Sequence, residues 1–124
     1  MTADNIFARD ELVGASSSDR ELKDNLLVID TASDKIKQIS GYEFEWNSNI
    51  GDDRIGKRDY GVIAQEVEKI LPQAVNINSR GYKTVNYNSL IPLLVEAVKE
   101  LSGKVEELER QNKRKEDLGE EDDG

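Results

Sequence analysis

From Ile91 to Leu108 the apolar residues Ile91, Leu94, Val98, Leu101, Val105 and Leu108 step alternately by three and four. That spacing draws one apolar stripe along an α-helix, with Ile91, Val98 and Val105 at heptad a positions and Leu94, Leu101 and Leu108 at d. Asn112 takes the next a position, where a polar residue sets register. Leu93, Val95 and Ala97 widen the stripe in its first half, so that half can also pack on its own domain. The second half is narrow with charges all round, and a stripe of that kind is buried only against partner helices. The chain is therefore expected to self-associate along a seam about 33 Å long. β-Branched residues at a with leucine at d lean toward two strands, so spacing alone does not specify a trimer.

The elements before this helix are short. Leu26-Leu27-Val28-Ile29 suits a strand or a buried turn, and Asp34 to Ile39 a short helix. Tyr42, Phe44 and Trp46 alternate with Glu43 and Glu45, the pattern of a half-buried strand with its aromatics on the core side. Residues 47–58 read as a polar loop or hairpin tip projecting from the body, and Tyr60 to Ile63 as the returning strand. Ala64 to Leu71 forms an amphipathic helix with Val67, Ile70 and Leu71 inward, stopped by Pro72. Ala74 to Ile77 and Tyr82 to Asn86 flank Asn78-Ser79-Arg80-Gly81, which predicts a β-hairpin. Asn88 or Ser89 is the expected cap of the long helix, with Pro92 tolerated in its first turn. The fold class is α+β: a small mixed domain of short strands, hairpins and helices that ends in one long helix.

Size and charge narrow the function. A chain of 124 residues has room for one modest core, and 36% hydrophobic against 35% charged residues makes that core compact or shared between subunits. The net charge of −9, with Glu116, Asp117 and Glu120 to Asp123 concentrated at the end, argues against nucleic acid or an anionic membrane as a partner. No apolar run approaches the roughly 20 residues needed to span a bilayer, and no signal peptide is read. Cysteine is absent, so there is no disulfide framework, and synthesis in a cytoplasm is expected. Residues 1–17, with the islands Asn5-Ile6-Phe7 and Leu12-Val13 and the linker Gly14 to Ser17, read as the end of something upstream. The tail after Lys115 is too polar to fold.

Histidine is absent as well, which removes Ser-His-Asp, Cys-His and thiolate-zinc chemistry. Ser18-Asp19-Arg20-Glu21-Leu22-Lys23 then holds the main covalent route left: a serine nucleophile and a lysine base, needing neither cofactor nor metal. A lysine takes a proton only when its surroundings bring its pKa toward neutrality. The same residues also fit a capping box, Ser18 with Glu21 three positions on. In a regular helix Ser18 and Lys23 stand about 140° apart, so they meet only if Ser18 lies on a non-helical lead-in or the lysine comes from another chain. Both readings stand on the residues alone.

Four blocks occur in order: Ser18 to Asn25; Tyr42 to Trp46; Gly61-Val62-Ile63-Ala64-Gln65-Glu66-Val67; and Tyr82 to Tyr87 running into Leu90 to Leu101. With these blocks the chain resembles the intramolecular chaperone auto-processing domain that closes bacteriophage tailspikes, endosialidases, L-shaped tail fibres and neck appendages. The same domain recurs in myelin regulatory factors. The resemblance implies three parts: residues 1–17 as the remnant of an upstream fibre, 18–115 as the chaperone with its helix at 88–115, and 116–124 as a disordered tail. It implies a homotrimer whose helices form a coiled coil and which guides an upstream β-structured stalk of the same polypeptide. The domain is then expected to cut itself free beside Ser18, at the Ser18–Asp19 bond, with Ser18 as nucleophile and Lys23 as general base. The resemblance further implies assembly in the bacterial host cytoplasm, with the domain expected to leave the mature virion fibre. Gln65 is expected in a polar core contact, and 47–58 as a solvated loop or an arm on the stalk. The alternatives are a non-catalytic trimerisation and capping module, or a receptor-binding tip kept in the virion.

Overall fold

A computed structural model describes residues 16–119. Most of the expected upstream remnant (1–15) and the end of the acidic tail (120–124) lie outside the described residues. In chain order the elements are α1 (Ala32–Ile36), β1 (Tyr42–Glu45), β2 (Arg58–Gly61), α2 (Ala64–Ile70), β3 (Val75–Ile77), β4 (Lys83–Val85) and α3 (Leu90–Asp117). Single 3-10 turns lie at Arg20–Leu22, Ser48–Ile50, Pro72–Ala74 and Tyr87–Ser89. The mixture is α+β, as expected, and the strands form two separate antiparallel hairpins.

The first turns of α3 organise the core. Leu90 packs with Val67 of α2 and Ala74, with Val62, Leu71, Val75 and Val85 around them. One turn on, Leu93 and Ala97 pack against Ala32 of α1, with Ile29, Ile36 and Ile70 alongside. A core this small comes from a chain with little apolar surface to bury, and α3 joins its two halves. Beyond Ala97 no described residue of α3 is buried. The helix nonetheless continues to Asp117, two residues into the segment expected to be unfolded.

The helix α1 is capped from a distance. Thr31 at its N-cap is left-handed (φ 48°) and makes no side-chain cap. The Glu100 carboxylate of α3 instead accepts from the Ala32 and Ser33 amides at 2.8 and 3.0 Å, and from the Ser33 hydroxyl at 2.9 Å. Acid at a helix N-terminus satisfies free N–H groups and meets the positive end of the dipole. This clamp ties the N-terminal part of the domain to α3.

The hairpins are held by links between distant sequence blocks. Tyr42 pairs with Gly61 in the β1–β2 register, and Arg58 reaches diagonally to Glu43 at 2.7 Å. The Tyr42 hydroxyl donates to Glu66 of α2 at 2.7 Å, and Lys83 of β4 pairs with Glu68 at 2.6 Å. Gly61 has no Cβ because Tyr87 lies against it: a Cβ there would sit 2.8 Å from the Tyr87 hydroxyl oxygen, which accepts from the Val62 amide. At the second hairpin tip, Gly81 is left-handed (φ 87°), and Asn78 accepts from the amides of Arg80 and Tyr82.

Several expectations are corrected. Leu26, Leu27 and Val28 form neither strand nor buried turn; they are 56%, 91% and 79% exposed, because no element among the described residues lies over them. The returning strand starts at Arg58 rather than Tyr60. The 47–58 loop does not project freely, since the Arg80 guanidinium donates to the Asn49 and Ile50 carbonyls and closes it on the second hairpin. Neither Asn88 nor Ser89 caps α3 with its side chain; Asn86 caps the preceding 3-10 turn through the Asn88 amide. Gln65 is exposed on α2 and is not a core contact.

Candidate functional site

Ser18 lies on an extended lead-in, and one tight turn separates it from Lys23. The turn opens at Asp19, whose backbone is extended (φ −65°, ψ 135°) and whose carboxylate accepts from the Glu21 amide at 2.8 Å. The Leu22 amide donates to the Asp19 carbonyl and the Lys23 amide to the Arg20 carbonyl, each at 3.0 Å. Lys23 is extended again (φ −128°, ψ 127°), so the chain doubles back. Lys23 Nζ then donates to Ser18 Oγ at 2.7 Å. Ser18 and Lys23 thus meet within one chain by the non-helical route, and Asp19, not Ser18, occupies the capping position.

The whole segment is exposed in the single chain. Leu22, 71% exposed, and Leu26 to Val28 flank the Ser18–Lys23 pair with apolar surface that the described residues leave exposed. The chain first joins the core at Ile29 and Ala32. Sequence reasoning missed Asp19 as the cap because serine and aspartate serve that position equally well. It also missed Glu100, since a cap supplied from another helix leaves no local signature.

A second candidate surface lies on α3. Ile91, Leu94, Val98, Leu101, Val105 and Leu108 are all exposed, to between 45% and 63%. The buried face of Leu90, Leu93 and Ala97 lies beside this stripe, so the helix holds its own domain on one side and presents the seam on the next. A wide cleft of about 570 Å³ opens between the hairpins, lined by Phe44, Trp46, Tyr82 and Tyr87. Arg54 stacks on Trp46 and pairs with Asp52, and its guanidinium pulls the Asp52 carboxyl down to about 2. Among the described residues no cluster of acidic side chains is arranged to hold a metal ion, and no helix is long and apolar enough to cross a membrane.

A small α+β body carried on one long helix, with an exposed apolar stripe along that helix and an exposed segment upstream of the core, is the class of domain these described residues define. Residues 18–76 match the family model described as chaperone of endosialidase, whose family name is that of a peptidase. The chain carries an intramolecular chaperone domain of that family. It is 37% identical over 113 residues to the long tail fiber protein Gp37 of Enterobacteria phage T2, a match covering 88% of this chain and 8% of that protein. With the Gp37 protein of Salmonella phage S16 it shares 33% identity over 120 residues, 91% of this chain and 15% of the relative. With that of Enterobacteria phage M1 it shares 32% over 95 residues, 73% of this chain and 38% of the relative. The chain therefore spans well under half the length of these fibre proteins.

Proposed function

We propose that the domain trimerises through α3, holds an upstream β-structured fibre of the same polypeptide in register while it folds, and then releases itself by serine–lysine autoproteolysis beside Ser18. The observation that carries the catalytic part is the 2.7 Å hydrogen bond between Lys23 Nζ and Ser18 Oγ. The rival reading, Ser18 as a plain turn cap, loses its main support because Asp19 fills that role.

The chemistry follows from the pair. A neutral amine at Lys23 takes the hydroxyl proton as Ser18 Oγ attacks a neighbouring carbonyl carbon; the C–N bond breaks, and the amine leaves with that proton. Water then hydrolyses the resulting ester. A hydroxyl attacking the carbonyl of its own residue would close a strained β-lactone. A cut at Ser18–Asp19 therefore uses the hydroxyl of a second copy, whereas a cut at Ser17–Ser18 proceeds within one chain by an N-to-O acyl shift. The single chain leaves Ser18 and Lys23 exposed to water. Assembly that covers Leu22 and Leu26 to Val28 would exclude water and favour the neutral amine.

The division of labour has a physical reason. A stalk wound from several chains depends on non-local contacts, so bringing the chains into register costs entropy before any contact offsets it. A helical seam nucleates locally and raises the effective concentration of the attached chains. The test is the mass of the product from the complete fibre polypeptide. Ser18→Ala and Lys23→Ala should each abolish release while leaving assembly intact, and Lys23→Arg should not rescue, because a guanidinium keeps its proton. The new N-terminus is expected to be Asp19. Normal release from the Ser18→Ala protein would end the catalytic reading.

A further inference from the structure

We propose that Asp19 is a positioning residue for self-cleavage: its side chain caps the 3-10 turn at Arg20–Leu22 and so delivers Lys23 to Ser18. The inference rests on the serine–lysine reading above and assigns Asp19 a task within it.

Lys23 stands five positions after Ser18, and neither a regular helix nor a regular strand through this stretch brings their side chains together. The contact exists because the chain is extended at Asp19, turns once, and is extended again at Lys23. Nothing in the core imposes that path, since the turn contains no buried residue. Among the described residues, short-range hydrogen bonds hold it: Leu22 amide to Asp19 carbonyl, Lys23 amide to Arg20 carbonyl, Glu21 amide to the Asp19 carboxylate, and the Lys23–Ser18 contact itself. A lone 3-10 turn has poor hydrogen-bond geometry and little cooperativity. The side-chain cap is therefore a large share of what keeps it closed. Asp19 adjoins the expected scissile bond, yet its carboxylate is directed to the Glu21 amide. That places its action on the turn rather than on the leaving group.

The cap and the charge of Asp19 separate by substitution, because asparagine caps about as well as aspartate and alanine does not. Asp19→Ala should slow release by about tenfold, the usual weight of an N-cap, with an unchanged pH profile. Asp19→Asn should restore release to near the unmodified rate. Thermal unfolding should be the same in both, since the turn contains no buried residue. In uncut Ser18→Ala protein, the Glu21 amide should exchange with solvent faster when Asp19→Ala is added than when Asp19→Asn is added. Release by Asp19→Ala at the unmodified rate, in a series where Lys23→Ala is inert, would overturn the Asp19 assignment alone. So would Asp19→Asn as slow as Asp19→Ala, which would make the charge the active feature, or equal Glu21 exchange in the two backgrounds. Normal release from Lys23→Ala would instead sink the underlying reading.

Discussion

Truncating Leu101 and Leu108 together to alanine should take the assembly apart while leaving the domain folded. Both side chains are more than half exposed in the single chain, 59% and 63%, and neither supports the core. Complete burial of a leucine is worth roughly 1.5–3 kcal/mol, so truncation of side chains that assembly would only finish burying removes about 1 kcal/mol each. A trimer carries both leucines on each chain, and the loss grows to about 6 kcal/mol per assembly. At about 1.4 kcal/mol per decade, that lowers the trimer association constant by roughly four decades. The constant scales with the square of concentration, so the midpoint should rise by about a hundredfold. Alanine is as good a helix former as leucine, which keeps local helix propensity out of the comparison. Sedimentation equilibrium across a dilution series reads the midpoint directly. An unmodified chain that is monomeric at tens of micromolar, or a double-alanine variant that associates as tightly as its parent, would refute the argument that this stripe is the seam.

Two further outcomes follow from contacts inside the domain. Hydrogen bonds from the Ser33 amide, the Ala32 amide and the Ser33 hydroxyl hold the Glu100 carboxyl below its ordinary value. A depressed folded value adds stability above the unfolded carboxyl pKa, and that stability is lost as pH falls through the folded value. Glu100→Gln should accordingly flatten the acid limb of a stability–pH curve, measured by chemical unfolding at a series of pH values; an unaltered limb would show that the clamp is not ionised. Gly61→Ala would bring a methyl group to 2.8 Å from the Tyr87 hydroxyl and 3.3 Å from the Phe44 ring. It should lower the unfolding midpoint, and Tyr87→Phe should recover part of the loss; no change on Gly61→Ala would mean that the strand and Tyr87 part without cost.

The sequence displayed elements whose pattern is local, and hid those whose partners are remote. The 3–4 stripe of α3, the strand begun at Tyr42 and the Asn78 to Gly81 turn each carry their own periodicity or turn chemistry and formed where expected. Tyr42, Phe44 and Trp46, however, lie outside both core clusters, with Phe44 and Trp46 lining the cleft instead. Leu26 to Ile29 reads as buried because four apolar residues in a row ordinarily are, but only Ile29 meets the core of its own chain. The cap of α1 was illegible because Glu100 lies in another helix. At the candidate site, residue types narrowed the chemistry to Ser18 and Lys23. Whether they meet depended on which of two good caps, Ser18 or Asp19, begins the turn. That choice is a matter of one residue of phase, which composition does not encode.

The position of the site relative to the core bears on how release would work. Ile29 is the first described residue packed against the buried clusters, and Ala32 the first that is itself buried. Everything from Ser18 to Val28 lies outside those clusters, so breaking the chain beside Ser18 removes no contact on which the domain's stability depends. A cut inside the core would oblige the domain to unfold in order to act. Here the folded, assembled state can persist through the reaction, and the Glu100 clamp on α1 keeps the cut end anchored to α3. The stalk's position is different. Under the proposed release it would lose its covalent tether to the seam, and once unwound it would have no local nucleus to gather its chains again. Such a release would turn a stalk assembled under guidance into one preserved by its unfolding barrier. An exposed turn, held by hydrogen bonds and detached from the core, is where such a cut leaves the chaperone intact.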